Sequence, residues 1–148
     1  MPEQQTLERA REDAREGKSP STQAGEFVRE EMHHIREGKH GASSPQQAIA
    51  IGLSKARRAG VKLGAPKGPA SLRKKAERDE EQGEHPHRKT SKRRSRAVEA
   101  ALKREPRSSA SHESLSRQAK SAAKKRGKSS RSAAARKAAR TRKAHSSS

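Results

Sequence analysis

The sequence predicts an all-α protein: short helices at about 3–16, 20–37, 45–59, 95–105, 111–126 and 132–144, long disordered linkers and no large core. Three observations carry that expectation. Only 26% of the residues are hydrophobic against 36% charged, so there is too little apolar surface to offset the ordering entropy of the whole chain. Helix stops and starts are spelled out repeatedly, as Gly17, Ser19-Pro20, Gly38, Ser44-Pro45 and Gly60. The larger apolar residues recur at three- and four-residue spacing, as helical faces require.

Taken in order, residues 3–16 place Leu7, Ala10 and Ala14 along one side, among dense Glu/Arg pairs, and Gly17 closes the helix. Ser19-Pro20 opens a second helix with Ala24, Phe27, Val28, Met32 and Ile35 as its candidates for burial, and Gly38 ends it. The phrase Arg15-Glu16-Gly17-Lys18 returns as Arg36-Glu37-Gly38-Lys39, and Ser-Pro with Gln-Ala soon after occurs at both 19–24 and 44–48. This reads as a duplicated stop, loop and start unit.

The third helix, 45–59, has both ends specified. Ser44 can accept from the backbone at Gln47, Pro45 sits where its missing N–H costs nothing, and Gln47 can reach back in a capping box. Gly60 supplies the left-handed residue past the end, with Val61 placed to touch Ala56. Ile49, Leu53, Ala56 and Gly60 share one face; Lys55, Arg58 and Lys62 share the opposite one and form a secondary basic face. Ile51 lies on that basic side, where a partner is expected to cover it.

The run Gln47-Ala48-Ile49-Ala50-Ile51-Gly52-Leu53-Ser54-Lys55-Ala56-Arg57-Arg58-Ala59-Gly60 resembles the core motif of a small bacterial domain family of unknown function. Its members carry Q-A-I-A-I-x-L-S-x-A-R-x-A-G. The likeness covers residues 46–60 closely and 15–65 loosely, and it implies no mechanism.

Residues 1–63 are therefore expected to form a small, marginal helical head built on Leu7, Phe27, Val28, Met32, Ile35, Ile49, Leu53 and Leu63. A homo-oligomer or a protein partner held through the head would support it. Residues 64–84 read as a linker, with Gly64, Pro66, Gly68 and Pro69, followed by a charged, acidic spacer suited to a short solvated helix. Residues 85–148 read as a basic, largely disordered tail with nascent helices.

Charge separates these regions sharply. The chain carries +20 overall with a pI near 11.3. Residues 1–84 hold 16 Lys/Arg against 14 Asp/Glu, whereas residues 85–148 hold 21 against 3. Such a tail expects a polyanion as partner. Its donors are Arg88, Lys89, Lys92, Arg93, Arg94, Arg96, Lys103, Arg104 and Arg107, then Arg117, Lys120, Lys124, Lys125, Arg126 and Lys128, and finally Arg131, Arg136, Lys137, Arg140, Arg142 and Lys143. Arg117, Lys120 and Lys124 share one helical face; Arg136, Arg140 and Lys143 share another. Small Ala and Ser spacers let the backbone approach phosphates closely. The composition resembles the Ala/Lys/Arg/Ser-rich tails of bacterial linker-histone-like proteins.

Other chemistries find little support. Phe27 is the only residue among Phe, Trp and Tyr, which removes the aromatic platforms on which single strands stack. The chain has no cysteine, hence no thiolate ligands or thiol nucleophile. No serine sits in a nucleophile elbow, and neither glycine-rich phosphate-loop pattern occurs, so no enzyme is expected. Glu31 and His34 have the Glu-x-x-His spacing of di-iron bundles but lack the second copy. His33-His34 with His40, and His85 with His87, suggest adventitious cation binding only, so no metal and no cofactor are expected. The Met-Pro-Glu-Gln-Gln start carries no apolar run and no stretch reaches membrane-span length, so no secretory signal, no membrane association and a cytoplasmic, nucleoid location are expected.

The function these observations favour is non-sequence-specific binding of nucleic acid, duplex DNA first, by a histone-like or nucleoid-associated protein that neutralises phosphates with its C-terminal tail. Two alternatives stand beside it: a hydrophilic stress or desiccation-response protein, and an RNA- or ribosome-associated basic protein.

Overall fold

The computed structural model describes residues 2–85, 89 and 91–146, and every regular element among them is helical. The order is α1 (Gln4–Arg15), α2 (Pro20–Arg36), α3 (Pro45–Arg58), α4 (Ala70–Glu84), α5 (Lys92–Lys103), a 3-10 turn (Ser108–Ala110) and α6 (His112–Ser146). The chain divides into two compact units, Met1–Ser111 and His112–Ser148.

In the first unit the punctuation works as the sequence predicts. The Ser19 and Ser44 side chains accept from Thr22 N and Gln47 N, at 3.4 and 3.1 Å. Each replaces a hydrogen bond that the first helical turn cannot make internally. Gln47 does reach back, but to Ser43 N at 2.7 Å and not to Ser44. The α3 C-terminus closes in a Schellman motif, with Gly60 N on Arg57 O and Val61 N on Ala56 O, both at 3.0 Å, and φ of 102° at Gly60. The two repeated stops close alike: Lys18 N on Asp13 O and Lys39 N on His34 O, each at 2.9 Å.

The core is small and built largely from alanine. Ala10, Ala24, Phe27, Ala56 and Val61 form its centre, with Leu7, Leu53 and Leu63 packed around them. Met32 and Ile35 are also buried, whereas Val28, Ile49 and Ile51 are half-buried. Of the face expected to turn inward, Ala56 is buried, Leu53 packs at the edge of the core and Ile49 is half-buried; beside it runs a buried line of Ala48, Gly52 and Ala56, four residues apart. A Cβ at Gly52 would lie 2.7 Å from the Cα of Val28, so α2 and α3 touch almost backbone to backbone.

Three expectations are corrected. The linker and spacer 64–84 are part of the packed unit: α4 lies against α3, buries Ala76, and is not merely solvated. Ser54 Oγ donates to Asp79 Oδ2 at 2.7 Å, and Gly64 N to Glu80 Oε1 at 2.9 Å. The head does not stop at residue 63. Gly41 N donates to Leu102 O at 2.8 Å and Ala42 N to Pro106 O at 3.1 Å, and a Cβ on Gly41 would collide with the carbonyls of Glu105 and Pro106. Residues 102–110 are thereby sewn onto the loop after α2. Long disordered linkers with no large core give way, among the described residues, to a compact unit with short connections and a modest core.

The second unit is helical where a largely disordered tail was expected. α6 runs through residues 127–131, which the sequence left between two helices, and is interrupted only at Gly127, whose φ of 81° and ψ of 166° are non-helical. That backbone region belongs to glycine almost alone. No residue of α6 is fully buried.

Candidate nucleic-acid interface

The basic residues singled out by the sequence end up in three different situations. Those of α6 are presented outward: all twelve of its Lys and Arg residues, from Arg117 to Lys143, are exposed, and Glu113 is its one carboxylate. Alanine and serine fill most of the remaining positions; alanine costs no side-chain entropy in a helix, and both add little bulk around the cations. Before the break, Arg117, Lys120 and Lys124 line one face. Beyond it, Arg136, Arg140 and Lys143 line one face, and Lys128, Arg131 and Arg142 the adjoining one. Residues 128–146 span about 28 Å of helix and carry seven cations, roughly one per 4 Å, against one phosphate per roughly 3.4 Å along a single strand of duplex.

Lys92, Arg93, Arg94, Arg96 and Lys103 on α5, with Arg104 beyond it, form a second exposed group. α5 buries none of its residues, and Val98 is 59% exposed. Lys103 pairs with Glu99 at 3.1 Å, both side chains more than half exposed, an arrangement worth little in water. Lys89 is exposed, and Arg88 lies outside the described residues, as do Pro86 and His87 of the expected histidine pair.

The third group also makes contacts within the fold. Arg107 donates to the carbonyls of Ile35, at 3.3 Å, and Arg36, closing the C-terminus of α2. Arg36 Nε in turn donates to Ala110 O at 2.9 Å. The secondary basic face is also spoken for. The Lys55 ammonium sits on Glu31 Oε1. Arg58 donates to Ser54 Oγ at 2.9 Å and lies 3.5 Å from Asp79. Only Lys62 of that face remains exposed without such a carboxylate contact among those described. These cations terminate or cross-link helices.

Within the first unit the structure also gathers charges that the sequence did not bring together. Glu30 and Glu31 are 5% and 0% exposed on the inner side of α2. His34 Nε2 lies 3.0 Å from Glu3 Oε1 and 3.6 Å from Glu30 Oε1, while its Nδ1 is 4.0 Å from Glu31 Oε1. His40 Nε2 lies 3.0 Å from Glu31 Oε2. The His34 imidazole, and after it the Lys39 ammonium, hold the Glu3 carboxyl below its ordinary value. Glu3, then Glu37, raise Lys39; Asp13, then Glu16, raise Lys18. The signals for this cluster in the sequence were Glu-x-x-His and the proximity of His40 to His33-His34, and each reads equally well as ordinary polar residues on a charged helix and loop.

No family model, curated protein or solved structure matches the chain. What the interface can do therefore follows from its own chemistry. Exposed ammonium and guanidinium groups on slender helices are suited to ion exchange with a polyanion. No helix among the described residues is long and apolar enough to cross a membrane.

Proposed function

We propose that the protein binds duplex DNA without sequence preference, as a histone-like, nucleoid-associated protein that acts by binding and not by catalysis. One observation carries the reading: α6 presents twelve exposed cations against a single carboxylate and buries none of its residues. Such a helix has no core to serve. Each phosphate it neutralises releases condensed counterions, so affinity needs charge density and reach more than a shaped pocket. α5 and its flanks, from Lys89 to Arg104, add a second exposed basic segment, and we assign Arg107 to the α2 carbonyls it bonds rather than to phosphate.

The first unit is the anchor, and a partner protein or a second copy is its proposed ligand. A cytoplasmic, nucleoid setting is part of this proposal, because duplex DNA is the ligand it assigns. A gel-shift titration of the full chain on duplexes of unrelated sequence tests the reading. Equal affinities are expected across sequences, with log K falling linearly in log salt at a slope of about −5 to −9 for six to ten phosphate contacts. Indifference to duplex at physiological salt, or affinity unchanged in molar salt, sinks it. Structured RNA out-competing duplex at one ionic strength moves the assignment to RNA.

A further inference from the structure

We infer that Glu31, His34 and His40 form a binding site for one zinc ion, clamping the loop after α2 onto that helix. The inference rests on tautomers that the surroundings fix. His40 Nδ1 lies 2.9 Å from the carbonyl oxygen of Gly41; a carbonyl can only accept, so Nδ1 carries the proton. In neutral His40, Nε2 is then a bare lone pair, and it points at Glu31 Oε2 from 3.0 Å. His34 is fixed in the same way. Its Nε2 faces the Glu3 carboxylate at 3.0 Å, which again can only accept, so in neutral His34 the lone pair is on Nδ1, on the Glu31 side. Two imidazole rings and a carboxylate therefore converge, with one ligating atom from each within 4.8 Å of the other two.

Glu31 supplies the second, independent observation. Its side chain is wholly buried, and although Lys55 serves Oε1, Oε2 has no hydrogen-bond donor. A buried carboxylate oxygen without a hydrogen bond is costly, and with His40 neutral the ring 3.0 Å away offers it no proton. A cation placed between Oε2, His40 Nε2 and His34 Nδ1 satisfies all three at once.

Two nitrogens and one carboxylate oxygen, with a fourth position left for water, is a donor set that zinc takes at about 2.0–2.2 Å. Ligand atoms at that radius are roughly 3.3 Å apart in a tetrahedron. The Glu31–His40 pair, at 3.0 Å, is already near that separation, and the His34 ring has to move inward to complete the set. The outer contacts are those that zinc histidines ordinarily have: a carboxylate, Glu3, behind His34 and a backbone carbonyl, Gly41, behind His40. The side chains of His34 and His40 are 12% and 13% exposed, which leaves a path from solvent. The metal would staple α2 to residue 40, next to the Gly41–Leu102 hydrogen bond that ties residues 102–110 to the unit. This site is independent of the DNA-binding reading.

The test is calorimetric titration of the chelator-treated full-length chain with zinc chloride, alongside His40→Ala, Glu31→Gln and His33→Ala. One equivalent bound, and a rise in Tm of about 4 °C or more on saturation, are expected for the unaltered chain. His40→Ala lies on a loop and keeps the helices intact; it and Glu31→Gln should each weaken zinc binding by more than about tenfold. His33, exposed on α2, should be dispensable. Cobalt in place of zinc should give the visible absorption of a tetrahedral site, lost in His40→Ala. Absence of saturable binding at one equivalent overturns the assignment. So does binding that survives His40→Ala and Glu31→Gln but falls in His33→Ala, which would place the ion on surface histidines.

Discussion

The two compact units put the same kinds of cation to opposite uses. In Met1–Ser111 the guanidinium and ammonium groups at the helix contacts each have a dedicated acceptor: Lys55 on Glu31, Arg58 on Asp79, and Arg36 and Arg107 on backbone carbonyls. In His112–Ser148 twelve cations share one helix with a single carboxylate and remain exposed. A basic residue thus becomes a strut or a binding group according to the acceptors that its fold brings near, and net charge alone does not distinguish the two.

The largest expected effect breaks the comparison outright. Replacing all twelve α6 Lys and Arg residues by Gln should lower duplex affinity at low salt by about 1,000-fold or more and flatten the salt slope. The thermal transition of the first unit should not change. An unaltered slope in a quantitative gel shift would assign binding to α5 or the head.

The converse substitution is Gly41→Val. Its side chain would collide with the carbonyls of Glu105 and Pro106, and it should destabilise the first unit by about 3 kcal/mol. Denaturant midpoints measure the loss, and duplex affinity of the still-folded fraction should be unchanged.

Arg107→Ala sharpens the boundary between struts and binding groups. Losing its bonds to two α2 carbonyls should cost about 1 kcal/mol and leave the salt slope unaltered, whereas Arg140→Ala should reduce the slope by about one contact and leave Tm unchanged. A reversed pattern would show that Arg107 faces phosphate.

The smallest effect is one of acidity. The Glu3 carboxyl is held below its ordinary 4.5 by His34 and then Lys39, so its folded-state value is depressed. Its stabilising contribution is full above the ordinary carboxylate value and disappears as the pH falls through the depressed one. Glu3→Gln should therefore flatten the stability curve only on the acid side, between about pH 5 and 3, as read by denaturant melts across that range.

Local signals in the sequence were reliable where a residue acts on its own neighbours. Ser44, Pro45 and Gly60 bound α3 as expected, and Gly127 breaks α6 where the sequence placed a stop. Contacts between distant segments were not legible. Gly41 and Gly52 are needed because another backbone passes against them, and nothing near either residue announces the visitor. Burial of Glu30 and Glu31 was equally hidden, because carboxylates on a highly charged helix read as solvated until a histidine from the next loop and a lysine from the next helix close over them. Residues 64–84 were expected to be a linker and an acidic spacer suited to a short solvated helix; that Asp79 and Glu80 of α4 would tie it to Ser54, Arg57 and Gly64 was not legible.

The glycine at 127 has a geometric consequence for whatever α6 lies against. An unbroken rod can meet a curved cylinder only along a tangent, so its outer cations would lift away from the surface. A rod with an elbow lays down two arms, each tangent at its own place, and doubles the length over which charges can be in register. Gly127→Ala, by favouring a straight helix, should trade that wrap for a single line of contact.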